Sequence, residues 1–340
     1  MKRVISIDTG NHSIKTLNYI FPSSFVESKH LPSIGGDILK YEGKTYTLVN
    51  QNLPVLNDKT ETERFFVLAL FAIGKELAGD AEIMKELTTL LKNKSILGSP
   101  SHNYIKVELL IGLPLQHYET YREKFAKYFT DPKDVISFEL NDKPYSIRIT
   151  EAHVFPQAYA AAVTIFNELK DTNIVNIIDL GGFTVDCLQL NKFKPNMTLC
   201  SSLYWGANTL YQNINDQMRA TGGRDISNSI IEGILSKDPS DLAQYSQQRI
   251  EVITSAAKLH TERMLAEVSG KGFDLDEDRT VFMGGGSILL KDYILETGKV
   301  KKPMFIDDVH ANAKGYKILY DMQKGGGSNQ SHNPKHLQGA

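Results

Sequence analysis

Residues 4–20, VISIDTGNHSIKTLNYI, place one carboxylate (Asp8), a glycine (Gly10) and a lone lysine (Lys15) between two apolar runs. Apolar and polar residues alternate on both sides of Gly10, which predicts a β-hairpin. Backbone amides in a tight glycine turn can point together at an anion, because glycine allows backbone angles and close approaches that a side chain forbids. An ordinary hairpin, in which Asp8 only favours the turn, explains this stretch equally well.

A second stretch repeats this plan later in the chain. Residues 173–190, NIVNIIDLGGFTVDCLQL, again give strand, glycine turn and strand. When the two stretches are aligned, Asp8 falls on Asp179, Gly10 on Gly181, and Lys15 on Asp186. A repeat at a distance of about 170 residues indicates two similarly built domains, each with a glycine-rich turn.

A third glycine-rich junction, FMGGGSIL at residues 282–289, follows a short predicted strand and precedes a predicted helix. Three such junctions in one chain favour anion binding over coincidence. The segment Gly43-Lys44-Thr45 looks like the end of a Walker A loop, but Ile38 stands where that motif needs its first glycine. We therefore reject a Walker A site.

Bulk composition narrows the class of protein. The 340 residues favour two domains, and the formal net charge of -2 without a long basic run argues against direct binding to nucleic acid. The longest apolar stretch, residues 65–73, is too short to span a bilayer, and no signal-peptide plan opens the sequence. Cys187 and Cys200 form no CxxC pair, which argues against a disulfide framework. We expect a soluble, cytoplasmic protein.

Hydrophobic periodicity predicts strands and helices along the chain. A buried strand is predicted over residues 104–115, and a second hairpin-like piece follows over residues 135–155. Helices are predicted over residues 61–78, 81–94, 157–169 (with Pro156 at the first turn), 207–218, 227–235, 245–267 and 311–322. From Gly325 onward the sequence is Gly- and Ser-rich and predicts a disordered tail.

In this order the motifs resemble the actin, Hsp70 and sugar-kinase superfamily, and within it the bacterial actin-like proteins typified by the plasmid-partitioning protein ParM. The resemblance covers roughly residues 1–322. IDTGNHSIK looks like the first phosphate motif, IIDLGGFTVD the second, FMGGGSIL the adenosine motif, and ANAKGY (311–316) the second connecting helix. It implies an α/β fold of two actin-like (ribonuclease-H-like) domains, with mixed five-stranded sheets and flanking helices around a nucleotide cleft. Domain I would span residues 1–155 plus 311–324, domain II residues 156–310, and the tail residues 325–340.

The resemblance also implies a nucleotide site. Asp8 and Asp179 would hold Mg2+ largely through its water shell, as this strongly hydrated ion prefers. The residues that would contact the phosphates are Thr9, Gly10, Asn11 and Lys15 from the first hairpin, and Gly181, Gly182, Phe183 and Thr184 from the second. Those near adenosine would be Gly206, Lys258, Gly284, Gly285, Gly286 and Ser287. Lys258 lies on a helix with Glu251 and Arg263, and a solvated helix face is the alternative role for each.

The residue that directs the attacking water is expected at the start of the helix before the second phosphate motif. ParM-like proteins usually have a glutamate after the proline there, whereas this chain has Gln157, in VFPQAYA. An amide takes up no proton at neutral pH, but it can orient a water molecule, as the corresponding glutamine does in eukaryotic actin. We therefore expect Gln157, Asp179, Asp8 and, ranked behind Gln157 for this task, Glu151 to act in catalysis. Asp186 either faces the same cleft or is a cross-strand structural partner.

The function implied by the resemblance is an ATPase that polymerises into filaments and segregates plasmid DNA. Its cofactors would be ATP or ADP with Mg2+, and GTP stays an open alternative. Its partners would be other copies of the chain and a small DNA-binding adaptor at a centromere-like site, with no direct contact to nucleic acid or membrane. The alternatives are a monomeric kinase of the same superfamily and a nucleotide-binding cytoskeletal scaffold without efficient hydrolysis.

Overall fold

The computed structural model describes residues 1–28, 36–51, 53–83, 85, 104–131 and 134–325. The chain divides into two compact units. Among these described residues, unit 1 comprises those within 1–113, 117–164 and 310–325, and unit 2 comprises residues 114–116 and 165–309. Gln157 therefore belongs to the same unit as Asp8.

The elements of the first part of the chain are β1 (Lys2–Thr9), β2 (Ser13–Lys15), β3 (Ile20–Pro22), β4 (Phe25–Ser28), β5 (Ile38–Tyr41), β6 (Lys44–Leu48), α1 (Arg64–Gly79), β7 (Ile105–Leu113), α2 (Leu115–Thr130), β8 (Ile136–Leu140), β9 (Lys143–Pro156) and α3 (Tyr159–Val163). The remaining elements are α4 (Phe166–Leu169), β10 (Ile174–Leu180), β11 (Val185–Asn191), β12 (Lys194–Leu203), α5 (Ala207–Ala220), α6 (Asn228–Leu235), α7 (Pro239–Leu242), α8 (Gln247–Gly270), β13 (Arg279–Met283), α9 (Gly285–Glu296), β14 (Lys302–Phe305) and α10 (Ala311–Gly325).

The sheet of unit 1 is mixed and has the strand order β3-β2-β1-β7-β9-β8-β5-β6-β4. It has nine strands where we expected five. The difference arises at β9, which runs for 14 residues. Its later part pairs in parallel with β7, whereas residues 143–146 extend beyond β7 and pair only with β8. Strand β8 then pairs with β5, so the hairpins of β4, β5 and β6 continue the same sheet.

Helix α1 supplies much of the core of unit 1, as the apolar run over residues 65–73 predicts. Residues from Phe65 to Gly74 are all buried. A Cβ on Gly74 would lie 2.7 Å from the Cδ2 atom of Leu140, so the glycine lets the helix approach β8 closely. Helix α10 makes a similar close contact with α3, because a Cβ on Gly315 would lie 1.8 Å from the carbonyl oxygen of Ala160.

Unit 2 contains a five-stranded mixed sheet of the predicted size, in the order β12-β11-β10-β13-β14. Strands β10, β11 and β12 are antiparallel, whereas β10, β13 and β14 run in parallel. Helices α5, α6, α8 and α9 contribute side chains to one buried cluster that includes Ile214, Ile231, Met264 and Leu290. The helices predicted over residues 207–218, 227–235 and 245–267 are confirmed, with ends shifted by up to three residues.

The helix predicted over residues 157–169 is wrong in its start and its continuity. Pro156 ends β9, and the amide of Gln157 donates to the carbonyl of Leu113 (2.8 Å), so the sheet pairing continues through this residue. Ala158 has a φ of 61°, and helix α3 begins only after it. A break then separates α3 from α4. The tight turn after β9 replaces the expected first helical turn.

Other sequence-based expectations fall partly outside the described residues. The helix predicted over residues 81–94 lies mostly outside them, and so does the tail, beyond Gly325. Helix α2 was not predicted at all. No helix in the described ranges combines the length and the apolar character needed to cross a membrane.

Candidate functional site

The end of β1 carries the carboxylate of the first hairpin. Asp8 pairs across the strands with Lys15 of β2, which confirms the predicted hairpin. The Nζ atom of Lys15 lies 3.9 Å from Oδ2 of Asp8, and the Asp8 side chain is only 5% exposed. The hairpin therefore presents one buried negative charge and one nearby positive charge at the same end of the sheet.

Three polar side chains of unit 1 surround the Asp8 carboxylate. Nε2 of Gln157, at the end of β9, donates a hydrogen bond to Oδ1 (2.6 Å). Nδ2 of Asn312 donates to Oδ2 (3.5 Å), and the hydroxyl of Tyr316 donates to Oδ1 (3.5 Å). Asn312 and Tyr316 lie four residues apart on α10 and so face the same side of the helix. These contacts fix the orientation of the carboxylate.

Glycines make room for this arrangement. A Cβ on Gly112 would lie 1.9 Å from the hydroxyl oxygen of Tyr316, so only glycine lets that ring reach Asp8 over β7. A Cβ on Gly10 would lie 2.6 Å from the carbonyl oxygen of Ser13, so the turn of the first hairpin also needs its glycine.

The first residue of α1 and the segment before that helix both contact the turn of the first hairpin. Nη2 of Arg64 donates to the carbonyl of Asn11 (3.2 Å), and Nε of Arg64 donates to the carbonyl of Ser23 (3.0 Å). Burial lowers the pKa of the Arg64 guanidinium. Oδ1 of Asn11 accepts from the amide of Leu56 (3.3 Å), so this side chain is engaged with the neighbouring segment.

A second lysine reaches the first hairpin, and sequence reasoning missed it. Lys59 is 3% exposed, and its Nζ donates to the carbonyl of Thr9 (2.5 Å), with Oγ1 of Thr9 at 3.4 Å. Oγ1 of Thr9 in turn donates to the carbonyl of Gly112 (3.2 Å). The lysine belongs to an irregular segment, and no periodicity or motif marks it.

Glu151 lies at a different level of the sheet from Asp8. It pairs in register with Glu108 of β7, which pairs with Val4 of β1. Asp8 lies four residues further along β1, which corresponds to roughly 13 Å at the usual strand rise. Oε2 of Glu151 lies 3.1 Å from Nε2 of His153. The structure therefore brings Gln157, and not Glu151, next to Asp8.

Glu108, Glu151 and His153 each offer a ligand atom, and these atoms lie within 4.8 Å of one another. The carboxylate of Glu108 is already engaged, because it pairs with Lys2 and accepts a hydrogen bond from the hydroxyl of Tyr320. Burial by itself raises the pKa of Glu108, but these two partners outweigh it and hold the pKa below its usual range. The cluster thus ties β7 to the N-terminal strand and to α10.

The second hairpin repeats the register of the first. Asp179 pairs with Asp186 across β10 and β11, just as Asp8 pairs with Lys15. Asp186 accepts hydrogen bonds from Oγ of Ser202 (2.5 Å) and from Oγ1 of Thr184 (3.3 Å). These bonds favour the cross-strand structural role for Asp186.

Helix α5 begins against the turn of the second hairpin. The amide of Gly181 donates to the carbonyl of Thr184 (2.9 Å) and closes the turn, and the amide of Asn208 donates to the carbonyl of Gly182 (2.8 Å). A Cβ on Gly206 would lie 2.4 Å from the carbonyl carbon of Phe183, so only glycine fits there. The side-chain amide of Asn208 is buried with neither polar atom hydrogen-bonded within the described structure. Sequence reasoning did not single out Asn208.

The third glycine-rich junction packs against Asp179. Gly284 has a φ of +86°, and a Cβ there would lie 2.4 Å from Oδ1 of Asp179. Gly286 approaches the carbonyl of Leu180 closely, and Oγ of Ser287 donates to the carbonyl of Gly284 (2.8 Å). Asp179 and the Gly284–Ser287 junction therefore form one cluster within unit 2. Gly285 is the first residue of α9.

Helix α8 carries the charged residues for which two roles were open. The side chains of Glu251, Lys258 and Arg263 are all exposed. The opposite side of α8 is buried. These three residues therefore lie on the solvated side of the helix. A role toward adenosine stays a prediction for each of them.

Two protein families match separate parts of the chain. Residues 6–159 match "Actin like proteins N terminal domain", and residues 177–296 match "Archaeal actin homologue MreB-like, C-terminal". No curated protein sequence matches the chain significantly.

Solved structures share the fold at low sequence identity. An archaeal actin homologue in complex with ADP is 17% identical, with a TM-score of 0.69 over 94% of this chain and 99% of that one. A ParM subunit from a 15-stranded filament of Clostridium botulinum is 18% identical, with a TM-score of 0.65 over 95% and 99% of the two chains. Bacillus thuringiensis ParM with ATP is 14% identical, with a TM-score of 0.60 over 94% and 98%.

Proposed function

Because the chain belongs to the actin-like proteins, we propose that it binds ATP with Mg2+ and hydrolyses the terminal phosphate bond. One observation carries the proposal. The two hairpins share a register in which Asp8 faces Lys15 and Asp179 faces Asp186, so their backbones are alike while their charges differ. A pair of such hairpins suits a ligand that has several phosphates and a divalent cation.

Each hairpin contributes a defined part of the proposed site. Thr9, Gly10 and Asn11 contact the terminal phosphates, and Lys15 supplies a cation to them. The second hairpin contributes Gly181, Gly182, Phe183 and Thr184, and the adenosine lies near Gly206, Lys258, Gly284, Gly285, Gly286 and Ser287. The predicted domain limits are 1–155 with 311–324 for domain I and 156–310 for domain II, whereas the compact units of the structure divide after Thr164 and before His310.

The residues present suit a hydrated Mg2+ ion. Asp8 is a buried carboxylate that Gln157 and Asn312 hold in a fixed orientation, and carboxylate oxygens are ligands that Mg2+ accepts. Asp8 and Asp179 would hold the ion largely through its water molecules. When bound, the ion neutralises charge on the phosphates.

Gln157 is the residue that we assign to orienting the attacking water. Its Nε2 donates to Asp8, so its Oε1 is the atom that accepts a hydrogen bond from water. An amide cannot remove the proton, and phosphoryl transfer to water requires mainly positioning and charge stabilisation from the protein. The contact with Asp8 supports Gln157 over Glu151, which lies at the level of Glu108.

We further propose that the protein assembles into filaments in the cytoplasm and segregates plasmid DNA through a small DNA-binding adaptor. Relatives that are filament subunits, among them ParM of Clostridium botulinum, support the proposal of assembly. ATP would favour the assembling form and hydrolysis would weaken it, because the terminal phosphate contacts are lost. The alternative that a glutamine at position 157 also permits is a nucleotide-binding cytoskeletal scaffold without efficient hydrolysis.

A phosphate-release assay tests the proposed site. We expect purified protein to release phosphate from ATP in the presence of Mg2+, and Asp8→Ala and Asp179→Ala to lose that activity while remaining folded by circular dichroism. Wild-type rates in either variant would remove that aspartate from the site. GTP in place of ATP measures the nucleotide preference.

A further inference from the structure

Lys59 has an unusual position for a lysine outside every recognised motif. It is buried, and taking an ammonium group out of water is costly unless a defined set of contacts repays it. Its Nζ lies on the carbonyl of Thr9 and 3.4 Å from Oγ1 of the same residue. Thr9 is the last residue of β1 and directly precedes Gly10. The ammonium group is therefore fixed at the point where the first hairpin begins its turn.

The surroundings of Lys59 hold it in place from both sides. The neighbouring Asp58 pairs with Lys124 of α2 (2.5 Å) and accepts from the amide of Thr60 (2.9 Å). The Nζ atom of Lys59 also lies 5.2 Å from the ring centroid of Phe65, at the start of α1. Two elements, α1 and α2, thus position one lysine against the first hairpin.

We propose that Lys59 is a second cation for the terminal phosphate of the nucleotide and makes the site prefer ATP over ADP. This inference rests on the proposed function. Lys15 of β2 follows the glycine turn, whereas the Nζ atom of Lys59 contacts Thr9, the residue before that turn. The two lysines therefore flank the amides assigned to the terminal phosphates. A fixed ammonium group binds a phosphate oxygen through a charge-assisted hydrogen bond, which is stronger than a neutral one.

The Asp58–Lys124 ion pair couples the position of Lys59 to α2. Because Asp58 and Lys59 are adjacent, a shift of the lysine toward a phosphate also moves the partner of Lys124. We expect the loss of that ion pair to loosen the lysine and weaken the preference for ATP.

The test compares the binding of fluorescent ATP and ADP analogues, each with Mg2+, to wild type, Lys59→Gln and Lys59→Arg. We expect Lys59→Gln to raise the Kd for the ATP analogue by about tenfold to a hundredfold, the usual effect of losing a hydrogen bond to a charged group. The Kd for the ADP analogue should change much less, and Lys59→Arg should retain the preference for ATP. Lys40→Gln, which removes a partly exposed lysine of β5 that pairs with Glu139 and Asp142, is the matched control and should leave both Kd values unchanged.

A purely structural lysine predicts a different result. If Lys59→Gln weakens both analogues equally, or neither, the inference is wrong. If Lys59→Gln does not fold, Lys124→Gln decides the question: a fall in the ratio of ADP Kd to ATP Kd supports the inference, and an unchanged ratio contradicts it. Failure of the wild type to bind either analogue would instead reject the proposed function.

Discussion

Gln157 occupies the position after Pro156 at which the resemblance implies a glutamate. In the structure its backbone amide donates a hydrogen bond to the carbonyl of Leu113, and its side-chain amide donates one to the carboxylate of Asp8. Both contacts come from the turn after β9, in which Ala158 has a φ of 61°. The turn therefore fixes the side chain at the end of the sheet.

We expect Gln157→Ala to release phosphate about a hundredfold more slowly than wild type, because a misplaced reacting group costs about that factor. ATP-dependent assembly should persist, since the phosphate contacts remain. A phosphate-release assay run beside a pelleting assay measures both properties. Glu151→Ala is the matched control and should hydrolyse at the wild-type rate; an unimpaired Gln157→Ala, or a slow Glu151→Ala, would contradict the assignment.

Gly206 is a second position where the structure requires one particular residue, because the backbone of the second hairpin lies too close for any side chain. The backbone of Gly182 and Phe183 fills the space that a side chain would need. A Cβ on Gly206 would lie 2.6 Å from the carbonyl carbon of Gly182 and 2.4 Å from that of Phe183. By contrast, a Cβ on Gly270, at the end of α8, would meet no atom within 4 Å. The two glycines therefore form a matched pair within unit 2.

We expect Gly206→Ala to lower the free energy of unfolding by about 1–3 kcal/mol, the usual cost of forcing an extra group into a packed site. Gly270→Ala should change the free energy of unfolding by less than about 0.5 kcal/mol in either direction. Denaturant unfolding of both variants measures the difference. Equal stability of the two variants would show that the start of α5 can move away from the hairpin.

At the scale of elements, α10 links the candidate site to the far end of β7. Asn312 and Tyr316 contact Asp8, and one turn later Tyr320 contacts Glu108. The sequence motif ANAKGY predicted this helix, but the spacing of four residues between its polar side chains was not connected to Asp8. Burial first and the hydrogen bond to Glu108 second raise the pKa of the Tyr320 hydroxyl to about 12.

The lowered pKa of Glu108 makes its contribution to stability depend on pH. The folded-state pKa lies below the unfolded value, so the contribution is present at neutral pH and is lost as the pH falls through the folded-state pKa. We expect Glu108→Gln to lower the free energy of unfolding by about 1–3 kcal/mol at neutral pH, as for a lost hydrogen bond to a charged group. The difference from wild type should shrink below the ordinary glutamate pKa of about 4.3.

Urea unfolding at neutral pH and at a pH below the ordinary glutamate pKa measures this effect. Glu139→Gln serves as the control, because Glu139 is half exposed and pairs with a partly exposed lysine, Lys40. A difference between wild type and Glu108→Gln that stays constant with pH would show that the charge of Glu108 is not what stabilises α10.

At the scale of the whole molecule, the sequence pattern predicted what depends on local repetition. The alignment of Asp8 with Asp179 reappears as an identical strand register, and the apolar run at residues 65–73 is the buried part of α1. The nine-stranded sheet was not predicted, because its extra strands depend on how far β9 extends past β7.

Individual site residues from distant segments were equally beyond sequence reasoning. Lys59 and Asn312 come from parts of the chain far from Asp8 in sequence, and each meets the first hairpin only through the packing of α1 and α10. Asn208 is marked only by its burial. None of the three belongs to a periodic pattern that would single it out.

The most direct test of ATP-dependent assembly is light scattering of the purified protein after addition of ATP and Mg2+. We expect scattering to rise on addition of ATP and to fall as phosphate is released, while Asp179→Ala gives no rise. A flat signal from folded wild-type protein, with ATP and with GTP, would contradict filament formation driven by nucleotide.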